Sequence, residues 1–549
     1  MATGFPLSPR LVATPWWALV RGRRALAEWG APLVEVRVGP RAPLPGPADL
    51  RRLAASPEVR GVWLKVERLV LDGGQATLHE CAEALAAARD AGQLVLAEFD
   101  HVGNAELLLA AACTRAWVRP GTQVFCVGLG TTLRFYGELL GRFGAGFEVE
   151  AVGEFKSFGE QFSRGFASAP NREATRAMVE DLADEWVQAQ VRLRPGLEAG
   201  TVLQAVADAP LSAEDAVARG FFTAVRYPDE VAADIETLVG REPRVVPFAS
   251  WVKHARREEA MRTFLHGHAA IPTVWLGGAV TDGRGQPGMA SIAVVPVVEA
   301  LEELREADEV KAVVLRVNSP GGSAPASDLI WRAVERLAAT RPVVASFGDV
   351  SASGGVYLSA SATEVWAHPA SITGSIGVIA GKPVLRPALE RQGVHAEDLL
   401  TGPQGDLFVE TAFSSSTRHH LRAGLELTYR RFVERVAQGR HLAYDAVEPH
   451  ARGRVWVGRR ARTLGLVDHL GGLDDALARA AALAGTAHYR TWDIRPLPRG
   501  GFVQRMLRQL MFTAVPELAW LPDLPVGARC LAEHPGEAMA LLPFEIEVK

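Results

Sequence analysis

Short apolar runs alternate with amphipathic stretches along most of the chain. In the first half, strand-like runs cover residues 33–38, 61–66 and 94–99, and helical patterns cover 78–91 and 175–194. Short strands that alternate with helices of about 10 to 15 residues are typical of βαβ crossovers, in which the strands lie parallel. This pattern predicts an α/β fold with a largely parallel sheet.

The second half shows the same kind of pattern. Strand-like runs cover residues 273–280, 312–317 and 343–347, and amphipathic helical patterns cover 294–307 and 326–339. The alternation again indicates βαβ crossovers. We therefore predict a second parallel α/β domain.

The two halves also match residue by residue. Three residues recur at an offset of 249, as in 349 − 100: Asp349 falls on Asp100, Trp366 on Trp117 and Pro369 on Pro120. The run that begins at 342 matches the run that begins at 93 without a gap. Self-similarity at a fixed period indicates a duplicated structural unit. We predict five segments: an N-terminal extension (1–31), a first domain (32–240), a linker (241–268), a second domain (269–495) and a tail (496–549).

The two copies differ at the positions most suited to chemistry. At the same offset Ser353 falls on Asn104, so a hydroxyl is present only in the second copy. Lys156 falls on Gly405, so an amine is present only in the first copy. We interpret this complementary loss as one site built from a serine of one copy and a lysine of the other.

Composition narrows the class of function. A chain of 549 residues exceeds what one hydrophobic core usually organises, which favours two domains. Its formal charge of −4, with both signs interspersed, argues against a nucleic-acid-binding face. The four cysteines have no metal-type spacing, and a disulfide framework is not predicted. We expect no metal and no cofactor.

Two stretches outside the repeat are amphipathic. No run approaches the roughly 20 apolar residues that span a bilayer, and arginines follow the apolar patch 11–20, whereas a secretory signal places charge before it. Trp16 and Trp17 beside those arginines, and the basic stretch 502–515, are typical of a membrane-surface segment or of a helix packed on the protein. We predict that the protein is cytoplasmic and that it also makes peripheral contact with a membrane.

The run Gly348-Asp-Val-Ser-Ala-Ser-Gly-Gly-Val-Tyr joins a strand to a helical pattern. Ser353 would lie at the helix N-terminus, where amide dipoles favour negative charge. The N–H of Gly354 would be an oxyanion donor, as at other strand-to-helix nucleophile turns. Two alternatives stay open: Ser353 is only an N-cap, or Ser351 or Ser346 is the nucleophile.

Two further glycine-rich runs belong to the second copy. In Asn318-Ser-Pro-Gly-Gly-Ser, Gly321 and Gly322 would let the backbone approach a ligand and hold a developing oxyanion, unless the run is a plain turn. The run Thr373-Gly-Ser-Ile-Gly-Val-Ile is strand-like and could pair with a bound peptide. Ser375 in this run could orient a nearby amine.

Lys156 is the candidate base. It lies among Phe155, Phe158 and Phe162, and an apolar setting lowers the pKa of a lysine from about 10.4 because burial disfavours the charged form. Only the neutral amine can accept the serine proton. A solvated surface lysine is the alternative interpretation.

A serine–histidine–aspartate triad is the competing arrangement. The second copy offers His368, His395 and Asp349 for it. His368 lies near the end of a predicted strand, where a structural role is favoured.

Taken in series, three runs resemble the signature segments of signal peptide peptidase A, a serine peptidase of family S49 in the ClpP/crotonase superfamily. They are Leu315-Arg-Val-Asn-Ser-Pro-Gly-Gly-Ser, Ala352-Ser-Gly-Gly-Val-Tyr and Thr373-Gly-Ser-Ile-Gly-Val. The resemblance is to the long tandem form and covers roughly residues 33–490. It implies an α/β fold of tandem duplicated ClpP/crotonase-like domains.

The resemblance also implies roles for individual residues. They are Ser353 as nucleophile, Lys156 as general base, Ser375 as a positioning residue, and the N–H groups around Gly321, Gly322 and Gly354 as oxyanion donors. The implied activity is an endopeptidase that degrades signal peptides and other short, unfolded, apolar peptides.

The implied partners are peptide substrates and further copies of the chain, as a tetramer in the long form. We expect the usual N-terminal membrane anchor of the family to be absent. Two alternatives are an acyl-CoA-processing crotonase-like enzyme and a non-catalytic peptide-binding scaffold.

Overall fold

A computed structural model describes residues 31–266, 269–285, 291–496 and 539–541. The stretches with Trp16, Trp17 and 502–515 lie outside these residues, as does almost all of the predicted extension and tail. Contacts divide the described chain into two compact units. The first unit holds residues 31–72, 81–127 and 189–259, and the second holds 73–80, 128–188 and the residues from 260 onward.

The elements are numbered here in chain order. The strands are β1 Leu33–Val38, β2 Gly61–Val66, β3 Leu94–Phe99, β4 Arg115–Val118, β5 Gln123–Val124, β6 Gly146–Val152, β7 Leu211–Ser212, β8 Ala224–Val225, β9 Val245–Pro247, β10 Thr273–Gly277, β11 Ala279–Thr281, β12 Ser291–Ala293, β13 Val313–Ser319, β14 Gly321–Ser323, β15 Val343–Ala352, β16 Glu364–Ala367, β17 Ile372–Gly374, β18 Val378–Val384, β19 Val455–Val457, β20 His469–Leu470, β21 Asp493–Ile494 and β22 Met539–Leu541. The α-helices are α1 Pro47–Ala54, α2 Gln75–Asp90, α3 Asn104–Ala112, α4 Gly137–Arg142, α5 Glu160–Ser163, α6 Ala169–Leu193, α7 Ala199–Asp208, α8 Ala213–Ala218, α9 Pro228–Val239, α10 Phe248–His266, α11 Val294–Glu306, α12 Ala324–Ala338, α13 Gly354–Ser359, α14 Arg386–Arg391, α15 Ser415–Gly439, α16 Tyr444–Val447, α17 Gly458–Thr463 and α18 Leu473–Leu483, with 3₁₀ turns at Gly405–Phe408 and Glu448–His450.

The first unit is built on a six-stranded parallel sheet in the order β8-β4-β3-β2-β1-β9. Its central strands are apolar along nearly their whole length because both faces of a parallel sheet are covered. Buried side chains on one face include Leu33, Leu96, Trp117 and Ile235. The predicted strands 33–38, 61–66 and 94–99 are all confirmed.

The second unit repeats this order. Its main sheet reads β20-β16-β15-β13-β10-β21, again with every neighbouring pair parallel. Each strand takes the place of its counterpart in the first unit, so the α/β class and the duplication are confirmed by topology as well as by residue matches. Beyond the end of β16, β17 continues on the edge of β15, and β19 pairs antiparallel with β17.

The predicted gap-free match between the runs that begin at 93 and 342 is wrong by one residue within the strands β3 and β15. Thr114 exchanges hydrogen bonds with Val95 through its amide and hydroxyl, and Thr363 does the same with Val343. The offset is therefore 363 − 114 = 249 at the threonines but 343 − 95 = 248 in the strand. The extra residue lies between Val343 and Thr363, and within this span the pairing of β15 with β13 is irregular. Bulges of this kind re-aim side chains near active sites.

A third, mixed sheet in the second unit has the order β12-β11-β14-β22-β18-β6. Strands β6 and β18 pair antiparallel over seven positions, from Val152↔Val378 to Gly146↔Val384. Strand β22 lies between β14 and β18 and is antiparallel to both. The sheet thus joins a strand of the first copy to strands of the second.

The predicted linker contains β9, which pairs with β1 at the edge of the first sheet, and the helix α10. In the described part of the chain, every helix is too short or too polar to cross a bilayer.

Candidate catalytic site

The pairing of β6 with β18 brings the candidate lysine to the second copy. Val152 is opposite Val378, and antiparallel strands run in opposite directions. The chain four residues after Val152 therefore lies beside the chain three or four residues before Val378. Those two positions are Lys156 and Ser375, which are 219 residues apart in sequence.

The amine of Lys156 contacts three oxygens. Its Nζ is 2.7 Å from Ser353 Oγ, 3.0 Å from Ser375 Oγ and 3.0 Å from the Ser375 carbonyl oxygen. Only 4% of the Lys156 surface is exposed, and both serines are fully buried. The structure therefore brings together the three side chains that the sequence singled out.

Burial lowers the pKa of Lys156 well below its ordinary value of 10.5, and no carboxylate among the described residues opposes that shift. A neutral amine has two N–H donors and one lone pair. The three oxygens match that inventory. The amine donates to the carbonyl and hydroxyl of Ser375, and its lone pair can accept the Ser353 O–H. This is the arrangement that a lysine base requires.

Two glycines make room for the lysine. A Cβ added at Gly453 would lie 2.5 Å from the backbone nitrogen of Lys156 and 2.6 Å from its Cβ, and a Cβ at Gly377 would lie 3.1 Å from Lys156 Cδ. Sequence reasoning missed Gly453, since a single glycine in a loop carries no recognisable motif.

This packing leads to a prediction. Gly453→Ala should lower kcat/KM for peptide cleavage by up to about 100-fold, because small displacements of a catalytic group are that costly. Gly393→Ala is the matched control: Gly393 has φ +79°, close to the +80° of Gly453, but a Cβ there meets nothing within 4 Å. Both variants carry the same backbone strain, so equal losses of activity would contradict the packing argument. Steady-state kinetics and thermal denaturation would measure it.

The backbone around Ser353 is strained. Ser353 has φ 53° and ψ −114°, and its N–H donates to the Gly374 carbonyl oxygen at 2.8 Å. Ser375 also has φ 53°. Non-glycine residues seldom adopt such angles, and they persist where the surroundings hold them. Ser353 precedes α13 but its side chain makes no capping hydrogen bond, so the N-cap interpretation fails.

The predicted oxyanion donors lie beside one another. A Cβ added at Gly354 would lie 3.2 Å from both Gly321 Cα and Gly322 N. The Gly321 N–H already donates to Ser319 Oγ at 3.1 Å. As the first residue of α13, Gly354 has an N–H without an acceptor inside the helix. Gly354 is therefore better placed than Gly321 to hold an oxyanion.

A peptide-like strand crosses this region. In β22, Ala540 is opposite Gly322, and Met539 is opposite Ile379 of β18. The backbone of residues 539–541 thus bridges the glycine strand and the strand that follows Ser375.

Comparison with known proteins decides the family. The sequence model of peptidase family S49 matches residues 87–242 and 335–487, which together make up more than half of the chain. The chain belongs to peptidase family S49. Membership confirms the predicted class of enzyme, a serine peptidase, and the two matched stretches confirm the predicted tandem duplication.

Relatives of this S49 peptidase carry related names. "Serine protease SPPA, chloroplastic" from Arabidopsis thaliana is 29% identical over 78% of this chain and 64% of its own length. "Protease 4" from Salmonella typhi is 30% identical over 79% of this chain and 71% of its own length. The chain thus spans somewhat less than two thirds of the plant relative. Among solved structures, a ClpP1 point mutant from Listeria monocytogenes is 15% identical over 37% of this chain and 94% of its own, with a TM-score of 0.25.

The triad that competes with the Ser353–Lys156 pair is not assembled in this S49 peptidase. The Asp349 carboxylate accepts hydrogen bonds from Thr77 N at 2.8 Å and Thr77 Oγ1 at 2.7 Å. His368 Nδ1 accepts the Ala370 N–H at 3.1 Å. His395 lies in an exposed loop. The carboxylate and the two imidazoles therefore have other surroundings than Ser353.

The Thr77–Asp349 contact also shows what sequence reasoning missed. Asp349 is four residues before Ser353 and lies on β15, which residues 73–80 of the first copy contact through Thr77. In the same segment Glu80 pairs with Arg316 at 2.8 Å, and both are buried. Thr77 and Glu80 lie in α2, and no motif in the sequence distinguishes them from the other residues of that helix.

Proposed function

We propose that this S49 peptidase cleaves peptides by a Ser353–Lys156 dyad. The observation that carries the proposal is the 2.7 Å separation of Ser353 Oγ and Lys156 Nζ in a buried setting where burial lowers the pKa of the lysine. Proton transfer between the two needs this distance and a neutral amine. The short distance and the lowered pKa of Lys156 both favour this transfer.

The chemistry proceeds in two halves. Ser353 Oγ attacks the scissile carbonyl carbon while its proton passes to Lys156 Nζ, and the carbonyl oxygen becomes an oxyanion held by the N–H groups of Gly354 and Gly322. The Lys156 ammonium then gives its proton to the departing amine, leaving an ester on Ser353. In the second half a water molecule gives its proton to Lys156, attacks the ester and releases the acid, with the proton returned to Ser353. The hydroxyl of Ser375 keeps the amine in place throughout.

The lysine base predicts how activity depends on pH. Burial lowers the pKa of Lys156, and only the neutral amine accepts a proton, so kcat/KM should rise as the pH increases through that lowered value. The rise should therefore be complete well below 10.5, the ordinary pKa of a lysine. Steady-state kinetics over a series of buffers would record it. A profile that falls with increasing pH over the same range would mean that a protonated group, not a neutral base, is needed.

The substrates we propose are extended, apolar peptides, including signal peptides. An extended peptide would enter the third sheet as an added strand between β14 and β18. That position is held in this structure by β22, which supports the idea that the gap accepts a strand. A folded protein offers no such free strand.

The direct test uses the purified chain and two substrates: a synthetic apolar signal-peptide sequence and a folded protein that contains the same sequence within its core. Mass spectrometry should find cleavage of the free peptide and none of the folded protein. Retention on immobilised coenzyme A without peptide cleavage would instead favour an acyl-CoA-processing enzyme. Peptide binding without cleavage would favour a scaffold.

The position of β22 leads to a further prediction. Deleting residues 539–549 should lower KM for a peptide by about tenfold, because a tethered strand competes at an effective concentration in the millimolar range. The turnover number should change little, since the dyad is untouched. An unchanged or higher KM in the truncated chain would show that β22 does not occupy the substrate position.

We further propose that the enzyme is a homo-oligomer, a tetramer by family resemblance. Large apolar side chains stay exposed on and beside α4 and α14: Leu139, Phe143, Leu385 and Val394. The two helices are neighbours, since Arg391 Nη1 donates to the Arg142 carbonyl oxygen at 2.7 Å. Light scattering at several concentrations would give the number of copies.

We also propose a cytoplasmic location with peripheral membrane contact. Fractionation of cells would test this location.

A further inference from the structure

An arginine-lined cavity in the first unit is unrelated to the dyad. It has a volume of about 380 Å³ and is lined by Arg89, Cys113, Thr114, Arg115, Arg194, Pro195 and Thr223. Three of its seven lining residues are arginines, and none is an acid.

At the position of the second copy that corresponds to this cavity, the arginine charge is balanced by an acid. Arg440 follows α15 as Arg194 follows α6, and both helices have 25 residues. Arg440 forms an ion pair with Asp468. The Asp468 carboxylate also accepts the Val365 N–H at 2.7 Å, and the Asp468 N–H donates to the Val365 carbonyl oxygen.

In the first copy a neutral residue replaces that acid. Thr223 makes the same two bonds, to the N–H and the carbonyl oxygen of Ala116, so it occupies the position of Asp468. Thr223 has no charge to offer Arg194. The pair that neutralises the buried arginine of the second copy is therefore missing in the first.

A second acid is replaced by a base. Glu364 begins β16, pairs with Arg479 at 2.7 Å and favours the charged form of Arg440. The corresponding first residue of β4 is Arg115. The two exchanges change an acid-rich place into a base-rich one, and Arg89 adds a third guanidinium from α2.

Most of these guanidinium nitrogens have no acceptor in the part of the chain that the structure describes. Arg194 donates through Nε to the Gly220 carbonyl oxygen at 3.0 Å, and Arg89 donates through Nη1 to the Leu193 carbonyl oxygen at 2.6 Å. Within the described residues, both terminal nitrogens of Arg194 and all those of Arg115 are left without one. The nearby acid is Asp90, which is 67% exposed and bonds Arg89 Nε at 2.9 Å. One exposed carboxylate does not balance three arginines.

We propose that this cavity is a binding site for a phosphate group, free or carried by a small phosphorylated molecule. Guanidinium groups form paired hydrogen bonds with phosphate oxygens, and several arginines around one space suit a dianion better than a chloride ion. The volume exceeds what one phosphate fills, which leaves room for an organic remainder. Burial and the two neighbouring arginines lower the pKa of Arg194, and a bound anion would relieve that repulsion.

Calorimetric titration of the full chain tests this site, with inorganic phosphate and glycerol 3-phosphate as probes and sodium chloride of equal ionic strength as the blank. Thr223→Asp recreates the acid of the second copy, and Thr223→Asn is its neutral match. We expect wild type and Thr223→Asn to bind phosphate, and Thr223→Asp to bind at least about tenfold more weakly, since the new carboxylate pairs with Arg194 and repels the anion. Tighter binding of glycerol 3-phosphate than of phosphate would identify an organic ligand.

Two results would overturn the proposal. One is wild-type binding no stronger than the chloride blank. The other is equal phosphate affinity in Thr223→Asp and Thr223→Asn, which would put binding elsewhere. If Thr223→Asp does not fold, Arg115→Glu serves the same purpose from the solvent side, with Arg115→Gln as its neutral match. Peptide cleavage should not depend on any of these four substitutions.

Discussion

Replacing Ser353 with alanine should reduce peptide cleavage by at least about 1,000-fold, because removal of a nucleophile leaves only binding and oxyanion stabilisation. The Ser353 hydroxyl is the one oxygen that contacts the amine of Lys156 and also lies at the start of α13, beside the glycine amides. The measurement is kcat/KM for an apolar peptide, with circular dichroism to confirm that the variant is folded.

Ser351→Ala is the matched control for this variant. Ser351 lies two residues earlier, near the end of β15, is fully buried, and is an alternative nucleophile by sequence. Its hydroxyl has no hydrogen-bond partner among the described residues, so little is lost when it is removed. Activity close to wild type in Ser353→Ala, or a comparable loss in Ser351→Ala, would refute Ser353 as the nucleophile.

Replacing Lys156 with methionine should cause a loss of similar size, because the serine hydroxyl would then have no acceptor for its proton. Methionine keeps the length and the apolar stem of the side chain. Lys382→Met removes a second buried lysine of the same unit, whose amine bonds the Val409 carbonyl oxygen at 2.8 Å. That control should retain activity, and the contrast in kcat/KM separates the loss of a base from the loss of any buried lysine. Equal losses in the two variants would count against Lys156 as the base.

The local fold was predictable because apolar strands of a parallel sheet are short, distinct and bounded by turns. Strand 94–99 was predicted without error, and helix 294–307 differs from α11 by one residue. The one-residue error in the alignment had a physical origin. The pairing of β15 with β13 is irregular in the span that contains the extra residue. Such an irregularity does not change the spacing of apolar residues in the sequence.

The candidate dyad could be proposed because the two copies lost complementary groups. The surroundings of the dyad could not be predicted from the sequence. The glycine that packs on Lys156, the threonine that holds Asp349 and the strand that fills the gap beside β14 are all set by contacts between residues far apart in sequence. Such contacts depend on three-dimensional packing, which a single sequence considered by itself does not reveal.

The seven-position ladder between β6 and β18 makes each half of the chain depend on the other. A fragment encoding only the later half would lose the amine and also leave a long, open strand edge, which is a template for self-association. A fragment encoding only the earlier half would keep the amine but have no alcohol for it to serve. If the proposed dyad is correct, neither half of the chain should cleave peptides without the other.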